Sequence, residues 1–369
     1  MKAIYDKIVD LIEDKKIGAY CTVVETKGST PQKPGSKLLI LPNLQNIGTL
    51  GGGCVEAEAR QQAIQLIQGG NPRLLEFQLN SDYGWDDGLI CGGNMSIFID
   101  MPQSERELEI FTRLRELSDQ KTPLLFATIV ESETKHKIGS KLLVSPHGHR
   151  FGSLGDRSLE TQIEEQLEKL LKNNTPAIIK SENDAVSVFV EPIQPRHTLL
   201  IAGAGHIGQA LCHLSSWLGF DVVVVDDRVD FASRDRLPDA NQIIIGDIFE
   251  ELQKYPIDSF TYVVIVTRGH NHDEEALHAT INSDARYIGL IGSRRKVKLI
   301  YEDLMELGIS PERLDRVYAP IGLDINSKTV SEIAVSIASQ LIQVRNNPKS
   351  NFRFDSSPSR MPTVKIELN

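Results

Sequence analysis

The stretch that decides the fold is Thr198-Leu199-Leu200-Ile201-Ala202-Gly203-Ala204-Gly205-His206-Ile207-Gly208. Five residues with strand preference run into a Gly-x-Gly-x-x-Gly turn, and a helical pattern follows to Leu218. A second strand then reads Asp221-Val222-Val223-Val224-Val225-Asp226. In a dinucleotide-binding βαβ unit Gly203 permits the tight turn, Gly205 lets a pyrophosphate approach the backbone, and Gly208 lets helix and strand pack closely. The helix start, with His206, offers amides and partial positive charge to phosphate. Asp226, or Asp227 beside it, stands where a ribose-binding acid ends the second strand. Strands and helices alternate from here to about Val344, the pattern of a parallel doubly wound sheet.

Working toward the amino terminus, the linker Glu191-Pro192-Ile193-Gln194-Pro195-Arg196 separates this unit from a first half that repeats itself. Gly35-Ser36-Lys37-Leu38-Leu39 recurs as Gly139-Ser140-Lys141-Leu142-Leu143, and Gly48-Thr49-Leu50-Gly51 as Gly152-Ser153-Leu154-Gly155. Thr22-Val23-Val24-Glu25 is answered by Thr128-Ile129-Val130-Glu131. The expected organisation is a domain over 1–194, α+β and built from copies at 20–101 and 126–192. A Rossmann-like domain over 195–345 and a tail over 346–369 complete the chain. The fold class is α/β.

Composition limits the function. The chain has 369 residues, 40% hydrophobic and 24% charged, with a net charge of −10. No Lys/Arg tract is present, so an electrostatic grip on nucleic acid or anionic lipid is excluded as the main function. Four cysteines are too few for a disulfide scaffold, and the amino terminus reads as an amphipathic helix rather than a signal peptide, which points to the cytoplasm.

Features that only the first copy carries are where chemistry is expected. Its loop over 26–34 contains Gly28 and Ser29, and an insertion over 82–88 leads to Cys91-Gly92-Gly93. Gly51-Gly52-Gly53-Cys54 stands where the second copy has Gly155-Asp156-Arg157-Ser158. Gly51, Gly52 and Gly53 are expected to leave amides free for an anion, and the helix start at Cys54 favours an anionic sulfur. Cys54 and Cys91 are expected to lie close together, facing the crevice between the domains. Cys21 and Cys212 read as core. Further on, Thr267-Arg268-Gly269-His270-Asn271-His272-Asp273 and Gly289-Leu290-Ile291-Gly292-Ser293-Arg294 each follow a strand, which places His270, Ser293 and Arg294 at the carboxyl edge of the sheet. Asp273 reads as a helix cap and the histidines as crevice lining, so no metal site is expected.

With these residues in view the sequence resembles the XdhC/CoxI family of xanthine dehydrogenase accessory factors. The resemblance rests on KGSTPQKPGSKLLI, GTLGGGCVEAEAR and ICGG in the first half, and on GAGHIGQAL, TRGHNHDEEAL, YIGLIGSRRK and APIGLDINSKTVSEIAVSI in the second. It implies a maturation factor that binds the molybdenum cofactor and helps to supply its sulfurated form to a molybdenum hydroxylase of the xanthine dehydrogenase type. On this reading the chain is a non-catalytic chaperone and a homodimer, with a cysteine desulfurase as a further partner. Members often carry Arg after the Pro of the Gly-Ser-x-Pro loop, whereas Gln32 and then Lys33 follow Pro31 here. The alternative is an independent NAD(P)-dependent oxidoreductase, for which His206 and His270 are the candidate proton-transfer groups.

Overall fold

A computed structural model of the chain describes residues 2–79 and 92–346. The insertion over 82–88, Cys91 and the tail from residue 347 lie outside the described residues. The described residues divide into two compact units, the first ending at Pro195 and the second beginning at Arg196. Among the described residues no helix is long and apolar enough to cross a membrane.

The first unit is two copies of one layered motif. Copy one runs α1 (Lys2–Glu13), β1 (Ala19–Lys27), β2 (Lys37–Ile40), β3 (Asn46–Gly48), α2 (Gly53–Ile67), β4 (Arg73–Gln78) and β5 (Asn94–Asp100). Copy two runs α3 (Glu105–Asp119), β6 (Leu124–Ser132), β7 (Lys141–Val144), β8 (Arg150–Gly152), α4 (Arg157–Glu165), α5 (Leu167–Asn173), β9 (Ala177–Lys180) and β10 (Val186–Ile193). The strand orders, β3-β2-β1-β5-β4 and β8-β7-β6-β10-β9, are the same. Both copies also bulge at one equivalent place, Val24 in β1 and Val130 in β6.

The repeat is larger than its sequence shows. The unit begins one helix earlier, because α1 and α3 occupy equivalent places: a Cβ at Gly48 would meet Ile4 Cδ1, and a Cβ at Gly152 would meet Ile110 Cδ1. In that alignment only Ile4 and Leu11 recur as identical residues, Ile110 and Leu117, while Tyr5, Ile8 and Asp10 are answered by Phe111, Leu114 and Glu116, since an apolar face constrains character more than identity. The short strands β3, β4, β8 and β9 were likewise not legible as part of the repeat. The helical segment after β8 breaks at Gln166 into α4 and α5.

Alternation along the central strands sorts the residues into layers. Cys21 and Val23 of β1 face α2, together with Val55, Ala59, Ala63 and Leu66. In copy two Ala127 and Ile129 face α4 and α5. The opposite faces meet each other through Val24, Phe98, Val130 and Phe189. Each such fully buried side chain contributes about 1.5–3 kcal/mol.

The copies are tied together by exchanged ion pairs. Lys37 of copy one donates to Glu191 Oε2 of copy two at 2.5 Å, and Tyr5 Oη donates to Glu191 Oε1 at 3.2 Å. Lys141 of copy two donates to Asp100 of copy one and to Glu107 Oε1, the latter at 2.9 Å. Lys37 and Lys141 are equivalent residues of the recurring pentamer. Asp100 and Glu191 are equivalent too, paired in register with Tyr20 and Phe126. Neither lysine side chain is more than 1% exposed. The exchange is reciprocal, as a two-fold relation between the copies requires.

The second unit is a six-stranded, wholly parallel sheet in the order β13-β12-β11-β14-β15-β16. Its elements are β11 (Thr198–Ala202), α6 (His206–Trp217), β12 (Asp221–Asp226), β13 (Gln242–Ile245), α7 (Ile248–Lys254), β14 (Thr261–Ile265), α8 (Gly269–Thr280), β15 (Tyr287–Leu290), α9 (Arg294–Glu306), α10 (Pro311–Leu314), β16 (Val317–Tyr318) and α11 (Val330–Asn346). Leu199 and Ile201 face α6 and α11, and Leu200 and Ala202 face α7, α8 and α9. Both faces are covered, as a parallel sheet requires. The strand order reverses between β11 and β14, which puts the Gly203–Gly208 turn and the Thr267–His270 loop on either side of the switch point.

Candidate functional site

In the first unit the structure gathers three glycine-containing segments at one end of the β1–β5 sheet. Gly28 follows β1 and packs against the chain just before β5: a Cβ on it would lie 3.1 Å from Gly93 Cα and 3.2 Å from Gly92 O. A Cβ on Gly93 would collide with Ser29 O. A Cβ on Gly51 would lie 2.6 Å from Pro31 Cβ and 3.2 Å from Gln32 Cγ. Gly28, Ser29, Gly92 and Gly93 are thus brought together, and the loop they belong to touches the turn that carries Cys54. Cys91, which immediately precedes Gly92, lies outside the described residues.

The turn itself needs its glycines. Gly51, Gly52 and Gly53 have φ of 107°, 73° and 64°, three consecutive values that side chains with a Cβ rarely adopt. Glu56, one turn into α2, organises them. Its Oε2 accepts from Thr49 Oγ1 at 2.6 Å, Leu50 N at 2.7 Å and Gly52 N at 3.0 Å, and Gly51 N donates to Thr49 Oγ1 at 3.0 Å. Partial burial works against ionisation of Glu56, but the Thr49 hydroxyl and the loop amides outweigh it and lower its pKa. This corrects the expectation that all three glycines present free amides. Those of Gly51 and Gly52 are already used, and Glu56 was not recognised from sequence.

Among the described residues no side chain caps the start of α2. The cap residue Gly52 has no side chain to accept from the first-turn amides. In copy two Asp156 Oδ1 accepts from Ser158 N at 3.0 Å and Leu159 N at 3.2 Å. The corresponding residues of copy one are Cys54 and Val55. The same helix start is therefore closed by its own carboxylate in one copy and left uncapped beside a half-buried thiol in the other. Cys21 is buried, and burial pushes its thiol well up. Cys212 is also buried and is raised to about 11 by the same cause.

In the second unit Gly203 and Gly208 serve the fold. A Cβ on Gly203 would lie 2.5 Å from Val266 O, and one on Gly208 would collide with Gly203 O. Gly205 is different: a Cβ there would meet nothing within 4 Å. The fold does not require glycine at that position, so its open face is free for a ligand. His206 is exposed at the start of α6. Asp226, by contrast, is turned inward. It is 1% exposed, and its carboxylate accepts from Ala204 N at 2.7 Å, from Arg228 N at 3.0 Å and from the Arg228 guanidinium at 2.8 Å. Burial opposes its ionisation, but the guanidinium and the two amides hold it at about 2. The carboxylate expected on a ribose is committed to the Gly203–Gly205 turn, and Asp227 next to it pairs with Arg268 Nη2 at 2.9 Å.

Across the switch point Asp273 does not cap α8 from outside but sits buried within it. Its Oδ1 accepts from Thr267 N at 3.1 Å and from the Thr267 hydroxyl, and its Oδ2 accepts from Lys296. His270 Nε2 lies 3.2 Å from Asp303 Oδ2 and 3.9 Å from Glu274 Oε2. Among the described residues these three could approach a cation together, although all are partly exposed and such pairs are ordinary on surfaces. Ser293 caps α9 by accepting from Lys296 N at 3.3 Å, and Arg294 follows it on the surface.

Known proteins fit this division. The profile of the XdhC and CoxI family matches residues 11–78 and 117–181, and that of the XdhC Rossmann domain matches residues 199–341. A Bacillus subtilis (strain 168) protein, named as the probable A subunit of xanthine dehydrogenase, is 27% identical over 340 residues, which cover 91% of this chain and 95% of that protein. The molybdenum cofactor insertion chaperone PaoD of Escherichia coli (strain K12) is 22% identical over 338 residues, 91% of this chain and 86% of PaoD. YqeB of Escherichia coli (strain K12) is 30% identical over 275 residues, 70% of this chain, and the chain spans about half the length of YqeB (50%). A crystal structure described as a xanthine dehydrogenase from Bacillus halodurans shares the fold with a TM-score of 0.76 at 24% identity, covering 95% of this chain and 98% of that one. The duplicated first unit with its glycine turn and the Rossmann second unit each match their own part of one family, and the chain belongs to the XdhC and CoxI family.

Proposed function

We propose that this protein is an accessory factor that binds the molybdenum cofactor, assists its sulfuration and passes it to a molybdenum hydroxylase of the xanthine dehydrogenase type. The observation that carries the reading is the contrast between the two copies at Gly52–Val55 and Asp156–Leu159. Copy two satisfies its helix start with Asp156, whereas copy one offers the same amides to an anion from outside, next to Cys54. Two relatives bear names that point the same way, one that of a xanthine dehydrogenase component and one that of a molybdenum cofactor insertion chaperone. The cofactor carries phosphate and sulfur, and when bound it supplies the molybdenum chemistry of the client.

The chain's own residues fit such a group. The first-turn amides of α2 suit its anionic part, and Cys54 is a soft donor that can ligate a metal or accept sulfur. Glu56 is a positioning residue that fixes the turn. The oxidoreductase alternative is less well supported, because Asp226 is spent inside the chain rather than presented to a ribose.

Cys54→Ser preserves volume and removes soft-ligand character. Purified from a host that makes the cofactor, this variant should retain at least about ten-fold less molybdenum per chain, with unchanged melting. Cys212→Ser should change stability alone. If Cys54→Ala retains cofactor and activates the client as well as wild type does, the thiol is structural and the reading fails.

Glu56→Ala removes three accepted hydrogen bonds from the turn. Cofactor retention should fall about ten-fold, as expected from the loss of one to two kcal/mol of ordering, with Glu56→Gln intermediate. Equal retention in Glu56→Ala would show that the glycine turn does not depend on this carboxylate.

A further inference from the structure

We propose that α8 and α9 of the second unit form a binding site for one divalent transition-metal ion of the zinc class, held by His270, Glu274 and Asp303. His270 Nε2 lies 3.2 Å from Asp303 Oδ2 and 3.9 Å from Glu274 Oε2, and the three donor atoms all fall within 4.8 Å of one another. Zinc bonds imidazole nitrogen and carboxylate oxygen at about 2.0–2.2 Å, so donors around a shared ion stand roughly 3–3.5 Å apart. The His270–Asp303 spacing meets that range, and rotation of the partly exposed Glu274 carboxyl closes the rest.

Two features separate this cluster from an ordinary surface ion pair. The first is how it is positioned. His270 and Glu274 are four residues apart on α8 and share one helix face. Asp303 comes from the last turn of α9, where the helix dipole favours a cation. The two helices are locked together beneath the site. Ala276 and Leu277 of α8 and Ile300 and Leu304 of α9 are fully buried in one core. At the start of α8, Lys296 of α9 donates to buried Asp273 and, at 2.9 Å, to Gly269 O. The spacing of the donors is therefore set by the core and not by their attraction for one another.

The second feature is charge. Among the described residues no lysine or arginine pairs with Glu274 or Asp303. The lysines of α9 are engaged elsewhere, Lys296 with Asp273 and Lys298 with Glu302 at 3.6 Å. Two carboxylates this close repel unless a cation lies between them, and one imidazole supplies at most one positive charge against two negative ones. A divalent ion balances both carboxylates and uses the imidazole as a neutral donor. The donor set names the class of ion. Magnesium and calcium sites are built from oxygen ligands, whereas imidazole nitrogen suits zinc and its transition-metal neighbours. Three protein ligands leave a position for water or an anionic ligand, the arrangement of an open site rather than a closed structural one. The site shares no residue with the Cys54 turn.

The test uses the full chain, stripped with EDTA, dialysed and titrated with Zn²⁺ by calorimetry at neutral pH, with Mg²⁺ in parallel. Wild type should bind one zinc per chain in an event that His270→Gln weakens at least about ten-fold, and the double variant Glu274→Gln/Asp303→Asn at least as much. Zinc should raise the melting temperature of wild type and have less effect on both variants. Without metal both should melt as wild type does, since all three side chains are partly exposed. His213→Gln is the control. It removes an exposed pair, His213 with Asp239 at 2.6 Å, that among the described residues has no third donor, and zinc binding should be unchanged. No binding event, an event that either cluster variant leaves unchanged or that His213→Gln weakens equally, or an equal response to Mg²⁺ would overturn the assignment. None of these results bears on Cys54 and cofactor retention.

Discussion

Lys141→Met should destabilise the first unit by about 3–5 kcal/mol, the cost of leaving buried charge without its partner. Lys141 is 1% exposed at its side chain and holds both Asp100 and Glu107. Without the ammonium, Asp100 is stranded between the two copies, and the carboxylate that closes the capping box of α3 loses its partner. For a unit of this size the loss corresponds to a melting temperature lower by roughly 10 °C or more. Lys37→Met should behave in the same way through Glu191. The double variant Lys141→Met/Asp100→Leu should recover much of the loss, because an apolar pair of similar volume replaces the charges. A single variant that melts within about 1 kcal/mol of wild type would show that the exchanged pairs do not hold the copies together.

The acid limb of stability provides a second readout. Burial alone would raise Glu107, but Lys141, together with Ser104, holds it at about 2. A depressed carboxylate contributes stability above its ordinary value, near 4.3, and that contribution is lost as pH falls toward 2. In Lys141→Met the depression is largely removed. The acid loss specific to Glu107 should therefore shrink, and the melting temperatures of variant and wild type should converge between about pH 4 and pH 2.

The second large effect separates the glycines of the Rossmann turn. Gly203→Ala should destabilise the second unit by about 3 kcal/mol or more, since it adds left-handed strain to a collision with Val266 O. Gly208→Ala drives a methyl into Gly203 O and should cost about 2–3 kcal/mol. Gly205→Ala should be neutral within about 0.5 kcal/mol, because its φ is −66° and its Cβ meets nothing. Gly205→Ala therefore reports on a ligand alone. Calorimetry of wild type with NAD(H) and NADP(H) should show weak binding, and the variant should lose it. Equal binding by Gly205→Ala would place the nucleotide elsewhere, and steady turnover of a simple alcohol or acid without a partner would favour an independent oxidoreductase.

Much of this was legible in the sequence because local rules dictate it. The Gly203–Gly208 turn between an apolar strand and a helix specifies a parallel βαβ unit whatever surrounds it, and the pentamer repeated at Gly35 and Gly139 revealed the duplication. Cys21 and Cys212 could be assigned to the core from alternation and helix phase. Tertiary structure decided what depends on partners distant in the chain. The pentamer's lysine recurs because each copy neutralises an acid of the other, Lys37 with Glu191 and Lys141 with Asp100, a relation across 154 and 41 residues that no window of sequence contains. The helices α1 and α3 escaped the repeat because burying an apolar face constrains hydrophobicity and not identity. Asp226 ends the second strand where a ribose acid belongs, yet Arg228 and the Ala204 amide claim it, and hydrogen-bond competition of that kind is settled only in three dimensions. At Gly51–Cys54 the sequence identified the anion-binding composition. Which amides remain free depended on Glu56, whose carboxylate had to fold back over the turn before the donors of Cys54 and Val55 were left, among the described residues, without a side-chain cap.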